Sequence, residues 1–215
     1  MTYNPPVSCA YPLMLDVSSR LIVIIGGGSV ASRKVRGLLE AGATRIRVVA
    51  LKLSAELPEG IERINQPYSS GHLEGAGLVF AATDSAETNA RIVSDAQARG
   101  LLVCRADAAG DSGDFSTPAK FTQGPVIVSV SAAGNPALAA TIRDGLKWRF
   151  DKRWAIMAEA MKTLRPRILS HKTLSPEQRK AIFHTLASED ALYVLARDGM
   201  EALGALLLER HPELS

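Results

Sequence analysis

One stretch, residues 21–36 (LIVIIGGGSVASRKVR), restricts the fold of this 215-residue chain more than any other. Its first five residues are apolar without interruption, which is typical of a strand buried on both faces of a parallel sheet. Three glycines follow, and then a segment with helical spacing. The pattern Gly26-x-Gly28-x-x-Ala31 is the G-x-G-x-x-A variant of the dinucleotide-binding fingerprint in its strand–turn–helix setting. A glycine-rich turn without a ligand is the alternative interpretation.

Strand and helix patterns alternate from this stretch to about residue 105, which indicates an α/β fold with a Rossmann-like parallel sheet. We predict helices at 29–40 and 87–99, and further strands at 46–51, 61–65, 78–82 and 101–105, with a short edge strand considered at 11–16. After Pro118 the pattern changes to a hairpin-like pair of strands, 119–123 and 126–131. Only helices follow, at 136–150, at 154–168, from Pro176 onward and at 198–210.

Composition excludes several classes of protein. A net charge of +3 with 5% aromatic residues falls short of a nucleic-acid-binding pattern. No apolar run reaches the ~18 residues of a membrane span, and the first 15 residues lack the basic region of a signal peptide. Two cysteines, Cys9 and Cys104, favour a reducing, cytoplasmic setting. The four histidines have no metal-ligand spacing, so we expect no resident metal.

The second predicted strand departs from the usual NAD pattern. An Asp or Glu about 20 residues beyond the first glycine normally binds the ribose hydroxyls. That window here holds residues 49–52 (VALK), and the first acid is Glu56. Lys52 meets a ribose 2′-phosphate or lies over the adenine edge, so the choice between NAD and NADP stays open.

Polar residues follow the next two strands of the sheet, where open α/β folds place ligand contacts. Thr83 and Asp84 are read equally well as a ligand contact or as the N-cap of the next helix. Asp107 follows the strand at 101–105, near the expected nicotinamide end of a cofactor, and could serve as a general base; a cap or turn is the alternative. Asp111 and Asp114 are interpreted as turn residues of a mobile loop.

Several motifs occur in an order known from one family. They are residues 11–43, AATD at 81–84, the strand end at Asp107, FSTPA at 115–119 and VSVSAAGNPALA at 128–139. Together they resemble the precorrin-2 dehydrogenase / sirohydrochlorin ferrochelatase family, the dehydrogenase-chelatase part of siroheme synthase. The resemblance covers about the first 150 residues, and because no methyltransferase domain is attached it is to the stand-alone form.

The resemblance implies NAD-dependent oxidation of precorrin-2 to sirohydrochlorin by a homodimer, followed in some members by Fe²⁺ insertion. It implies an NAD-binding domain at 1–115, a dimerisation segment at 116–150 and a helical C-terminal domain at 151–215. Asp107 matches the catalytic aspartate. Nucleotide contacts fall on the glycine turn and on Ser29, Val30, Leu51, Lys52 and Thr83. Since the substrate carries many carboxylates, the weaker candidates for binding it are Arg33, Lys34, Arg105, Lys120 and Arg143.

One departure bears on the second activity. The family usually has S-(S/T)-G-G-x-S-P where this chain has residues 131–136, and a hydroxyl residue linked to chelatase activity is matched by Ala132. We therefore expect dehydrogenase activity with weak or absent chelatase activity. The alternatives are a bifunctional enzyme that makes siroheme and a non-enzymatic, nucleotide-sensing regulatory module.

Overall fold

A computed structural model describes residues 11–106 and 113–214 of the chain. The chain divides into two units, Met1–Thr117 and Pro118–Ser215. The first is an α/β unit with a parallel sheet and the second is mainly helical, which confirms the predicted fold class. The finer division at residue 150 and the boundary at residue 115 stay predictions.

The first unit contains a five-stranded parallel sheet in the order β3-β2-β1-β4-β5. Its strands are β1 (Leu21–Ile25), β2 (Arg45–Val49), β3 (Glu62–Ile64), β4 (Leu78–Ala81) and β5 (Val103–Arg105). Two helices, α1 (Ser29–Glu40) and α2 (Ala86–Gln97), and a 3₁₀ turn at Ser70–Leu73 connect them. Strands β2 and β3 lie on one side of β1, and β4 and β5 lie on the other. The central strand β1 is therefore the point at which the strand order reverses.

Helices on both sides of the sheet explain the apolar run of β1, all five residues of which are buried. Ile22 and Ile24 belong to one core cluster with Val35 of α1. Val23 belongs to a second cluster with Ile92 of α2. Alternate residues of one strand therefore fill two separate apolar layers, as expected for a sheet covered on both faces.

The second unit begins with an antiparallel hairpin of β6 (Ala119–Gln123) and β7 (Val126–Val130). Four helices follow: α3 (Pro136–Leu146), α4 (Lys152–Ser170), α5 (Pro176–Leu186) and α6 (Glu189–Arg210). The core of this unit includes Ile182 of α5 and Leu192 and Leu203 of α6. Within the described ranges, no helix has the length and apolarity that crossing a membrane requires.

The structure differs from the predicted elements in three places. Residues 11–16 form no strand, and α3 ends at Leu146 rather than near 150. The predicted helix at 198–210 is present, but a further helical stretch precedes it from Glu189, where the Ser188 hydroxyl accepts a hydrogen bond from the Ala191 N–H and caps the helix. This helix is interrupted at Gly199, whose φ of 84° is not helical. The predicted start at 198 was therefore the second half of a kinked helix.

Candidate functional site

The carboxyl ends of β1, β2 and β4 meet at one edge of the sheet. Ile25, the last residue of β1, is in register with Val49 on one side and Ala81 on the other. The Gly26 N–H donates to the Val49 carbonyl (2.9 Å), and the Ala82 N–H donates to the Ile25 carbonyl (2.8 Å). The glycine turn thus lies between the segments that follow β2 and β4, where doubly wound sheets bind their ligands.

The three glycines of the turn have different surroundings. Gly26 has φ +126°, and a Cβ there would lie 2.1 Å from the Ala82 carbonyl oxygen. A Cβ on Gly27 would lie 2.2 Å from the Lys52 carbonyl oxygen. No atom lies within 4 Å of a Cβ built on Gly28. The first two glycines therefore allow the turn to pack against its neighbours, and the third leaves open space in front of the backbone.

This open space adjoins the N-terminus of α1. Gly28 is the N-cap residue and no side chain caps the helix. Gly28 and Ser29 are exposed, and Val30 is half-buried. An uncapped helix N-terminus beside a glycine with no Cβ presents backbone N–H groups to an anion. The predicted contacts at Gly28, Ser29 and Val30 therefore fit the pyrophosphate of a dinucleotide.

The segment after β2 presents an apolar side chain instead of a ribose-binding acid. Leu51 is 73% exposed, and Lys52 beside it is also exposed. The Asn65 side-chain amide donates to the Leu51 carbonyl, and the Ser54 N–H donates to the Gly27 carbonyl (2.9 Å). Glu56 lies 3.6 Å from the Arg36 guanidinium. The first acid of this segment is therefore paired with α1, and Leu51 lies at the carboxyl edge of the sheet, where an adenine would pack.

Thr83, after β4, is held by a buried asparagine. The Asn89 side-chain oxygen accepts from the Thr83 N–H (3.0 Å) and hydroxyl (2.7 Å), and its NH₂ donates to the Thr83 carbonyl (3.0 Å). The N-cap of α2 is Ser85, whose hydroxyl accepts from the Thr88 N–H (3.1 Å). The alternative that Thr83 and Asp84 form this cap is therefore wrong.

The proposed catalytic Asp107 lies outside the described residues, as does Asp111. The chain on either side is fixed to the sheet: the Ala106 N–H donates to the Ala81 carbonyl (2.8 Å). On the return, the Asp114 carboxylate accepts from the Val103 N–H (3.0 Å) and from the Gln97 amide (2.9 Å). Asp114 lies in a turn, as predicted, and its carboxylate is bound to β5 and α2.

Lys34, one of the cationic candidates, is half-buried. Its ammonium group donates to the Thr117 hydroxyl and lies 5.6 Å from the centre of the Phe80 ring. Burial lowers the pKa of Lys34 below its ordinary value of 10.5. Burial likewise raises the pKa of the Cys104 thiol, and the nearby Lys34 charge offsets part of that rise. Cys104 has a free thiol, is buried, and packs as a small apolar residue.

The other cationic candidates are distributed over both units. Arg33 is exposed on α1, and the guanidinium of Arg105 donates to the Ala86 carbonyl (3.3 Å). Lys120 and Arg143 belong to the second unit, where Arg143 is paired with Asp144 (2.8 Å). The five candidates therefore do not form one cluster within either unit, and their shared role stays a prediction. Among residues 11–106 and 113–214, no three His, Cys, Asp or Glu side chains are grouped as metal ligands would be.

Sequence reasoning missed two side chains that shape this site, Asn89 and Asp114. The available signal for Asn89 was an amide near the start of a helix that follows a buried strand. The signal for Asp114 was an acid a few residues beyond a buried strand end. Neither position reveals its partner, because each pairing joins backbone and side chain across the fold.

Comparisons with known proteins agree with this geometry. A family model of NAD(P)-binding domains matches residues 13–119, about half of the chain. Siroheme synthase of Ectopseudomonas mendocina is 39% identical over 177 residues, which are 80% of this chain and 37% of that protein. Siroheme synthase of Pseudomonas aeruginosa is 35% identical over 209 residues, 93% of this chain and 43% of that protein.

The chain belongs to the precorrin-2 dehydrogenase / sirohydrochlorin ferrochelatase family. The resemblance seen in the motifs is thereby confirmed, and the first unit is an NAD(P)-binding domain. The chain spans less than half the length of these siroheme synthases. The solved structure of SirC, described as a precorrin-2 dehydrogenase, superposes with a TM-score of 0.73 at 21% identity, covering 93% of this chain and all of SirC. This match shows a shared fold over both units of the chain.

Proposed function

We propose that this protein oxidises precorrin-2 to sirohydrochlorin with NAD⁺ as the hydride acceptor, a step of siroheme biosynthesis. The observation that carries the proposal is the open, uncapped glycine turn at the carboxyl edge of the sheet in a chain related to siroheme synthases. SirC, the neighbour of similar fold, is itself described as a precorrin-2 dehydrogenase.

The residues present fit a dinucleotide laid across the sheet edge. The Gly28–Val30 backbone would hold the pyrophosphate, and Leu51 would pack against the adenine. Lys52 replaces the ribose-binding acid, and NAD rather than NADP is the cofactor that the family implies. When bound, NAD⁺ would supply the hydride acceptor.

The reaction removes one hydride and one proton from the macrocycle. Bound NAD⁺ would accept the hydride, and we propose that the Asp107 carboxylate accepts the proton. Asp107 follows Ala106 in sequence, and the Ala106 N–H donates to the Ala81 carbonyl of β4, which supports this proposal. Arg33, Lys34, Arg105, Lys120 and Arg143 remain the proposed cations for the substrate carboxylates.

An anaerobic assay with purified protein, precorrin-2 and NAD⁺ tests this function by the appearance of NADH and of the sirohydrochlorin spectrum. We expect Asp107→Ala to abolish NADH formation while NAD⁺ binding, measured by calorimetry, stays at the wild-type level. Unchanged turnover in this variant would remove Asp107 from the mechanism. NAD⁺ binding by the wild type without any turnover would favour the nucleotide-sensing module instead.

We further propose that chelatase activity is weak or absent, because Ala132 offers no hydroxyl where the family usually has one. Sirohydrochlorin and Fe²⁺ are the substrates of the test, under anaerobic conditions. Siroheme should form no faster than without protein. Siroheme formation well above that spontaneous rate would instead establish the bifunctional enzyme.

The second unit supports a proposed homodimer. A two-stranded sheet is marginally stable alone, and β6 and β7 form one whose Ile127 is 50% exposed. Leu138 of α3 is also 50% exposed, and Trp148 beyond that helix is 76% exposed. A second copy covering these side chains would remove them from water. Light scattering at micromolar concentration should give twice the chain mass, and a monomer at that concentration would contradict the proposal.

We also propose that the protein acts in the cytoplasm.

A further inference from the structure

The end of β4 is fixed by a side chain that lies too far inside the protein to reach a ligand. Asn89 is fully buried (0% exposed) and its amide group bonds to all three polar groups of Thr83. The Thr83 hydroxyl also accepts from the Ser85 N–H (3.2 Å). The polar groups of Thr83 are therefore engaged within the first unit.

The same strand end forms one wall of the glycine turn. The Ala82 carbonyl oxygen lies 2.1 Å from where a Gly26 Cβ would be, and the Thr83 nitrogen lies 3.0 Å from it. The Thr83 N–H is the group that donates to Asn89. A displacement of Ala82 or Thr83 would therefore be transmitted directly to Gly26, because there is no space between them.

Asparagine is well suited to this task. The Thr83 N–H and hydroxyl need an acceptor, and the Thr83 carbonyl needs a donor. A carboxamide carries both, whereas the carboxylate of Asp has no donor and an aliphatic side chain has neither. Since a buried backbone group without a partner is costly, the strand end would have to shift in any of these variants.

We propose that Asn89 is a positioning residue for the dinucleotide: it fixes the Ala82–Thr83 backbone and, through it, the glycine turn that receives the pyrophosphate. This inference rests on the proposed dinucleotide site. It also changes the role expected of Thr83, which contributes the position of its backbone and not a hydroxyl contact to the nucleotide.

The test is calorimetric titration of NAD⁺ into the full chain and three variants. Asn89→Ala removes all three bonds to Thr83. Ser85→Ala is the matched control, because it removes the N-cap bond of α2 and leaves the Asn89–Thr83 bonds in place. Thr83→Val keeps the backbone bonds to Asn89 and removes the hydroxyl, together with its bonds to Asn89 and to the Ser85 N–H. Where Asn89→Ala is isolated unfolded, Asn89→Asp takes its place, since it keeps the acceptor and loses the donor to the Thr83 carbonyl.

We expect NAD⁺ binding to weaken about tenfold or more in the Asn89 variant, to stay within about threefold of wild type in Ser85→Ala, and to weaken less in Thr83→Val than in the Asn89 variant. In the dehydrogenase assay, the KM for NAD⁺ should rise in the Asn89 variant more than kcat falls. Equal affinities in Asn89→Ala and Ser85→Ala would overturn the positioning role. A loss in Thr83→Val with none in Asn89→Ala would also overturn it, in favour of a hydroxyl contact. A wild-type protein that binds no NAD⁺ would overturn the dinucleotide site itself.

Discussion

Gly27 and Gly28 have different surroundings, so alanine at each position should affect a different property. We expect Gly27→Ala to lower stability and Gly28→Ala to weaken cofactor binding. Gly27→Ala would place a Cβ 2.2 Å from the Lys52 carbonyl oxygen and 2.9 Å from the Ala50 Cβ. Gly28→Ala would place it in open space, at φ −87° and ψ −167°, which alanine adopts without strain. Gly37, in the middle of α1, also has open space around its Cβ position and serves as the control.

The expected magnitudes follow from these distances. A Cβ at 2.2 Å lies more than 1 Å inside ordinary van der Waals contact, so the backbone after β2 must move in Gly27→Ala. Overpacking of this kind costs about 1–3 kcal/mol. In Gly28→Ala, the lost N-cap preference and the lower entropy of the unfolded chain offset each other to within about 1 kcal/mol. Gly37→Ala should gain about 0.5–1 kcal/mol.

Urea unfolding and NAD⁺ calorimetry on the same three variants separate these effects. Gly28→Ala should keep its stability and lose about tenfold or more in NAD⁺ affinity, because the new methyl group lies where the phosphates approach. Gly27→Ala should lose stability, and Gly37→Ala should bind NAD⁺ as the wild type does. Wild-type NAD⁺ affinity in Gly28→Ala would refute the placement of the pyrophosphate. Wild-type stability in Gly27→Ala would refute the packing of the turn.

Two further predictions concern the strand that precedes Asp107. Asp114→Ala should lower the free energy of unfolding in urea by about 1–3 kcal/mol, because the Val103 N–H and the Gln97 amide lose their acceptor. Gln97→Ala, which removes one of the two bonds, should cost less than Asp114→Ala; an equal loss would show that the Val103 bond contributes nothing. In a Cys9→Ser background, Cys104 should react with a thiol reagent far more slowly in the folded than in the urea-unfolded protein. Because burial raises its pKa above 9.0, this protection should persist as the pH rises to that value, where an unfolded thiol is half ionised. Equal labelling rates in the two states at pH 9 would contradict the burial of Cys104.

The periodicity of the sequence was sufficient for most of the fold. Strand β1 and helix α1 could be recognised from the sequence, because a buried strand and an amphipathic helix each have a local pattern of apolar residues. The helical stretch at 189–198 was missed although Ser188 is a good N-cap residue, since the glycine at 199 separates it from the predicted helix at 198–210. The enclosure of Lys34 was missed for a different reason: Thr117 and Phe80, its partners, are distant in sequence.

The sequence by itself predicted a strand, a glycine turn and a helix of the dinucleotide-binding type, because the glycine fingerprint is a local pattern. It also determined the family, since the motifs are short and occur in order. Only the tertiary structure decided which glycine of the turn faces open space, because the answer depends on how closely the segments after β2 and β4 approach the turn. It likewise decided that Asn89 holds Thr83 and that Asp114 holds β5. Such pairings provide hydrogen-bond partners for backbone groups at strand ends. No local sequence pattern indicates which segments lie together in the folded chain.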